Sequence, residues 1–147
     1  MDKQDIMPPV TPYLTVKGAA AAIDFYKKAF GATENARMPA QDGKRLMHAD
    51  ITVNGGRILM SDEFPEHGAE CGGVVRAPTA SNPAGLAIAL HYTKAADIDA
   101  TFRRAVDAGC TSVLEPENTF WDARFAMLSD PFGHRWMLDA PLPAKKA

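Results

Sequence analysis

Two stretches of this chain, 76 residues apart, carry the same helical pattern, and that repeat limits the fold more than any other feature. In residues 16–30, Ala22, Phe25, Tyr26, Ala29 and Phe30 recur at i, i+3, i+4, i+7 and i+8, one face of an amphipathic helix. The matching places in residues 92–106 hold Ile98, Thr101, Phe102, Ala105 and Val106, and Lys27-Lys28-Ala29 falls on Arg103-Arg104-Ala105. Gly31 and Gly109 stand where each helix should end in a left-handed residue, and Asp97 is expected to cap the start of the second. An internal repeat means copies of one supersecondary unit, each too small to close a core alone.

Strand-like runs surround both helices. Residues 13–16 precede the first and 86–92 the second. After the first helix, 45–53 and 57–61 are joined by Asn54-Gly55-Gly56, and Asn-Gly is a strong signal for a tight hairpin. After the second, 123–128 and 134–139 are joined by Asp130-Pro131-Phe132-Gly133, also turn chemistry. A weaker strand precedes each hairpin, near 33–38 and 111–115. The reading is therefore an α+β fold in one domain, 1–147, made of two βαβββ modules at 10–62 and 86–139. A connection at 63–85 joins them and a flexible tail follows at 140–147. A sheet with one helix is covered on one face only. Two such modules are expected to pair into a curved, barrel-like mixed sheet around a central cleft, with the helices outside.

Composition narrows the function classes. The chain has 147 residues, 46% of them hydrophobic, which is enough for one domain without disulfide or metal staples. A formal charge of −2 speaks against a nucleic-acid partner. No apolar run reaches the roughly 18 residues of a membrane span, and the first ten residues lack the apolar stretch of a secretory signal. Cys71 and Cys110 form no CxxC and fit a reduced, cytoplasmic protein with incidental thiols. There is no GxSxG, P-loop or GxGxxG signature. The 11 Gly and 11 Pro fall largely in the turns and the connection.

The local wording of the chain resembles a known family. Phe25-Tyr26-Lys27-Lys28-Ala29-Phe30-Gly31, Met47-His48-Ala49-Asp50 and Leu59-Met60-Ser61-Asp62-Glu63 in the first half carry the resemblance. Phe120-Trp121-Asp122-Ala123-Arg124 and Asp130-Pro131-Phe132-Gly133-His134-Arg135-Trp136 carry it in the second. Together with the paired modules, these are similar to the PhnB-like branch of the vicinal oxygen chelate superfamily, which includes glyoxalase I, extradiol dioxygenases and the fosfomycin- and bleomycin-resistance proteins. The similarity runs from Pro12 to Leu138. One departure falls in its most distinctive motif: Trp121 stands in a segment where the branch usually has Gly before Asp-Arg. A methyltransferase label attached to some of the branch is discounted, because the chain has no glycine-rich nucleotide loop of the usual kind. The resemblance also implies a homodimer.

Metal-using members of that superfamily draw ligands from the first and last strand of each half. Carried onto this chain, the resemblance assigns the four places to Thr11, Met60, Ala87 and Met137. None is the His, Asp or Glu that zinc, iron or manganese requires, so no metal or other cofactor is expected, and both Met side chains read as apolar lining. Strand alternation places His48, Asp50 and Thr52 on the cleft side, and Met47, Ala49, Ile51 and Val53 against a helix. Asp62 shares the parity of Met60, and His91 that of Ala87. A rebuilt divalent-metal site of His48, Asp62 and His91 is the alternative. Trp121, Asp122 and Arg124 are candidates to border the cleft, since Trp stacks on planar or cationic ligands and Arg clamps anions; their other reading is an Asp–Arg brace on the hairpin. With Tyr13, these residues make up the candidate binding set. Trp136 shares the parity of Leu138 and should pack under a helix, and His134 should hold its turn. The function expected is a metal-independent small-molecule binder, with a metal-dependent lyase, isomerase or dioxygenase as the alternative.

Overall fold

The repeat is realised as two four-stranded mixed sheets, each with one long helix. A computed structural model describes residues 6–73 and 75–145, the Cys71 side chain excepted, so the reading of that thiol and of the last two tail residues lies outside the described residues. The first module runs β1 (Tyr13–Val16), α1 (Ala19–Phe30), β2 (Thr33–Pro39), β3 (Leu46–Val53) and β4 (Gly56–Asp62). The second runs β5 (Ala87–His91), α2 (Ala95–Ala108), β6 (Thr111–Asn118), β7 (Ala123–Ser129) and β8 (Arg135–Pro141). Both sheets follow one plan: β1-β4-β3-β2 and β5-β8-β7-β6, with the first and last strands of each module parallel. The chain divides into two units, residues 1–27 with 31–77, and 28–30 with 78–147, so the last turn of α1 groups with the second unit. Among the described residues no helix is long and apolar enough to cross a membrane.

In the first unit the buried face carries Leu14 and Val16 of β1, Ala49 and Ile51 of β3, and Ile58 and Met60 of β4. From α1, Ala19, Ala22, Ile23 and Tyr26 are fully buried. The helix begins after Gly18, which has φ 91° and no side chain to cap the first turn. Asp62, at the end of β4, supplies the cap. Its Oδ1 accepts the N–H groups of Gly18 (2.6 Å) and Ala19 (3.0 Å), and its Oδ2 accepts that of Leu46 at the start of β3 (2.7 Å). A carboxylate at a helix N-terminus also complements the macrodipole. The hairpin between β3 and β4 is the tight turn its sequence announces, with Asn54 at φ 49° and Gly55 at φ 79°.

The second unit has its own polar anchor. Asp130 is buried, and its Oδ1 accepts the N–H groups of Phe132 (2.8 Å) and His134 (2.9 Å). Its Oδ2 accepts Nε1–H of Trp136 at 2.8 Å. Trp136 is fully buried on the helix-covered face with Leu138, Ala126 and Leu128, and its ring lies 4.5 Å from that of Phe30. His134 is held in the turn, as the sequence indicates. Gly133, at φ 87°, lies under the strap at residues 78–84, where the Ala84 N–H donates to the Gly133 carbonyl at 2.9 Å.

Two local expectations are corrected, and the connection adds one element. Asp97 does not cap α2: the helix starts at Ala95, and Asp97 sits inside its first turn, donating its N–H to the Lys94 carbonyl at 3.0 Å. Met47 is 53% exposed instead of facing the core, because β3 bulges against β2 between the Met38–His48 and Pro39–Leu46 pairs, and the extra residue reverses the alternation. The connection contains a short 3-10 segment at Pro65–Cys71, kinked at His67, that no periodicity announced.

Two stability predictions follow from these anchors. Asp62→Ala strands three backbone donors and should cost about 3 kcal/mol, lowering Tm by roughly 6–12 °C in calorimetry, while Asp62→Asn costs less because its amide oxygen still accepts. Gly133→Ala places a methyl group 2.6 Å from the backbone of Pro78 and Thr79. Added to the strain at positive φ, that overlap should cost about 3 kcal/mol or more in urea unfolding. A wild-type midpoint would show that the strap does not press on the turn.

Candidate functional site

The buried side of each sheet leaves an open face on the other. In the first unit that face is polar. Tyr13 of β1 is paired in register with Leu59 and reaches His48 of β3, its hydroxyl 3.0 Å from Nδ1 with the ring centroids 5.7 Å apart. Next to His48 on β3, Asp50 is ion-paired with Arg57, whose Nε donates to Oδ1 at 2.8 Å, and it also accepts Asn35 Nδ2 at 3.1 Å. The guanidinium of Arg57 holds the Asp50 carboxyl below its usual range. The stability it contributes is therefore fully present above the normal carboxylate range, and is lost only as pH falls below it through the depressed folded value. Asp50 is thus committed to the sheet. A pocket of about 250 Å3 opens beside Tyr13, walled by Thr15 and Ser61 and closed by Phe64, His67 and Val75 of the connection.

Met60 and Asp62 are not on this face. Both were expected to look into a cleft, yet Met60 pairs with Leu14 and Ala49, is fully buried, and shares its side with the Asp62 carboxylate that caps α1. Residues Leu59 and Ser61 take the open side of β4. Met60 would correspond to Met137 only if Gly56 matched Gly133, yet these glycines lie on different parts of two unlike turns, and Ser61 is the residue on the open side.

The open face of the second unit is largely apolar, and the strand registers resolve it into rows. One row runs straight across the sheet from Ala89 through Met137 and Met127 to Leu114. The adjacent row runs from His91 through Asp139 and Phe125 to Glu117. Met137 is therefore where the sequence put it, opposite the side of Trp136. His91 Nδ1 lies 3.5 Å from Asp139 Oδ2. Trp121, 52% exposed, meets Phe125 edge to face with centroids 5.8 Å apart and interplanar angle 70°, and Phe120 stands beside it. The structure thus brings together His91, Met137 and, through Phe125, Trp121. Sequence reasoning missed Phe125 and Met127 as members of this face, although alternation from the buried Ala126 and Leu128 would have found them.

Asp122 and Arg124 do not border this face. Asp122 is the left-handed residue of the β6–β7 turn, at φ 59°, and its carbonyl accepts the Leu142 N–H at 2.9 Å. Arg124 shares the side of Ala126 and Leu128 and forks onto Asp99 of α2, with Nε–Oδ1 and Nη2–Oδ2 both 2.9 Å. The expected Asp–Arg brace exists, but it joins hairpin to helix and uses Asp99. Hydrogen bonding to Arg124 lowers the Asp99 pKa.

The donor set for a family-type metal fails on chemistry. Ala87 and Met137 offer no nitrogen or oxygen side-chain ligand, Met60 is buried, and Thr11 precedes β1 with only a hydroxyl to give. The alternative set does not share one face: His48 is on the open side of its sheet and Asp62 on the buried side, its oxygens taken by backbone donors. Among the described residues no three His, Cys, Asp or Glu side chains are placed to hold a metal ion. Cys110 is no nucleophile, since burial and then the Asp130 charge push its thiol up to about 12.

Comparison with known proteins agrees with this architecture. Uncharacterized proteins of Mycobacterium bovis and Mycobacterium tuberculosis are each 41% identical over 138 residues, covering 94% of this chain and 86% and 77% of theirs. Among solved structures, the PhnB protein of Bacillus cereus superposes with a TM-score of 0.67 at 17% identity, over 90% of this chain and 99% of its own. The fosfomycin resistance protein FosX of Listeria monocytogenes, in complex with Mn(II) and sulfate, gives 0.65 at 15% identity over 94% and 95%. At these identities the two structures speak for the fold alone. The model of one family matches residues 7–138, and the chain belongs to it: the Glyoxalase/Bleomycin resistance protein/Dioxygenase superfamily.

Proposed function

We propose that this chain is a small-molecule-binding protein that works without a bound metal, its ligand lying on the open face of the second sheet. The observation that carries the reading is the row Ala89–Met137–Met127–Leu114, an apolar strip bordered by the aromatic corner of Trp121 and Phe125. Methionine adapts its shape to varied ligands, and a few polar groups beside an apolar surface are the usual composition of a ligand site. The alternative, a metal-dependent lyase, isomerase or dioxygenase, would have to recruit Asp62, whose two oxygens already hold three backbone donors and the start of α1.

The test is titration with the neutral apolar probe N-phenyl-1-naphthylamine. The expected result is saturable 1:1 binding that Met137→Glu weakens about tenfold or more, because the new charge would be desolvated by the probe. Circular dichroism confirms that the variant is folded. Absence of saturable binding, or Zn, Mn or Ni retained stoichiometrically after dialysis, would overturn the reading.

A further inference from the structure

From the charges around the apolar strip we infer the class of ligand: an organic cation with a flat, apolar body. The inference rests on the binding face proposed above and adds to it the sign of the ligand's charge. The row next to the strip places Phe125 between two carboxylates, Asp139 on β8 and Glu117 on β6, each its cross-strand partner. Cross-strand partners hold their Cβ atoms about 5 Å apart on the same face, so both acids border the ring. The ring has Trp121 edge to face above it, 5.8 Å away. Aromatic faces beside carboxylates are what an ammonium or a protonated heterocycle selects, by cation–π attraction and by charge.

Asp139 supplies an independent sign of an absent counterpart. Its Oδ2 faces His91 at 3.5 Å, whereas its Oδ1 is buried with no hydrogen-bond partner. Buried carboxylate oxygens are almost always satisfied, so this carboxyl keeps unused hydrogen-bonding capacity, and its side chain, 33% exposed, is open to a cationic donor. Asp62 and Asp130, which are buried at the ends of these sheets, differ from it, because each of their oxygens accepts backbone or indole N–H groups. The basic groups facing the row are few. His91 lies at its end. Arg135 is on the same face but four residues along β8 from Asp139, roughly 13 Å away and beyond a physiological Debye length. Arg124 is turned to the other side and forks onto Asp99, while its charge also acts on Glu117 at the edge of the row. The strip takes the ligand's body and the Asp139–Phe125–Glu117 row takes its charge.

Three probes of similar apolar body separate the possibilities: proflavine, a planar cation; neutral N-phenyl-1-naphthylamine; and anionic 1-anilinonaphthalene-8-sulfonate. Calorimetric titration of the full chain should give an order of preference of cation over neutral over anion, the cation about tenfold tighter than the neutral probe. Asp139→Asn should weaken the cation until it binds within about twofold of the neutral probe. Glu117→Gln, at an exposed edge position where folding is not at stake, should lower the preference about threefold, and added salt should lower it further. Equal binding of cation and neutral probe, tighter binding of the anion, or a preference that survives Asp139→Asn would overturn the cationic assignment and leave the apolar site standing. Failure of all three probes to bind would overturn both.

Discussion

The Asp62 carboxylate is the contact on which the first module depends. Removed from water, it is stable only because three backbone N–H groups point at it: two from the uncapped start of α1 and one from the start of β3. With α1, β3 and β4 joined at that point, the side of β4 that bears Asp62 must be the buried side. Met60 follows it into the core, and Tyr13, His48 and Asp50 are left on the open side. The second module solves the same problem with Asp130, which locks the turn before β8 and holds the indole of Trp136. Trp136 inward means Met137 outward, so each buried acid decides which chemistry its sheet shows to solvent.

That decision separates two faces of unlike character. On the first sheet, the polar groups are largely engaged with one another: Arg57 and Asn35 with Asp50, and Tyr13 with His48. On the second sheet, a strip of Met, Ala and Leu lies beside Asp139 and Glu117, and Asp139 keeps one oxygen without a donor. Of the four places the resemblance assigns to metal ligands, Met60, Ala87 and Met137 hold soft or apolar side chains and Thr11 only a hydroxyl.

Much of this was legible in the residues. The 76-residue repeat and two turn signatures located every strand and both long helices, since period and turn chemistry are local properties. The candidate site was legible only where alternation was uninterrupted. On β8, Trp136 and Met137 came out on the correct sides. On β3, the bulge beside His48 moved Met47 outward, and no one-dimensional pattern reports a bulge. Met60 and Asp62 were misplaced by a single residue, which in a strand reverses the face. Arg124 looked like a ligand clamp because its partner, Asp99, is 25 residues earlier on α2, a pairing that only the packing of helix on sheet creates.

Ligands should meet the second sheet's methionines and leave Met60 in the core. Methyl-labelled methionine NMR tests it directly. On titration with proflavine or N-phenyl-1-naphthylamine, the ε-methyl signals of Met127 and Met137 should shift and saturate together while that of Met60 stays fixed. A saturating shift at Met60 with Met127 and Met137 unmoved would contradict the account.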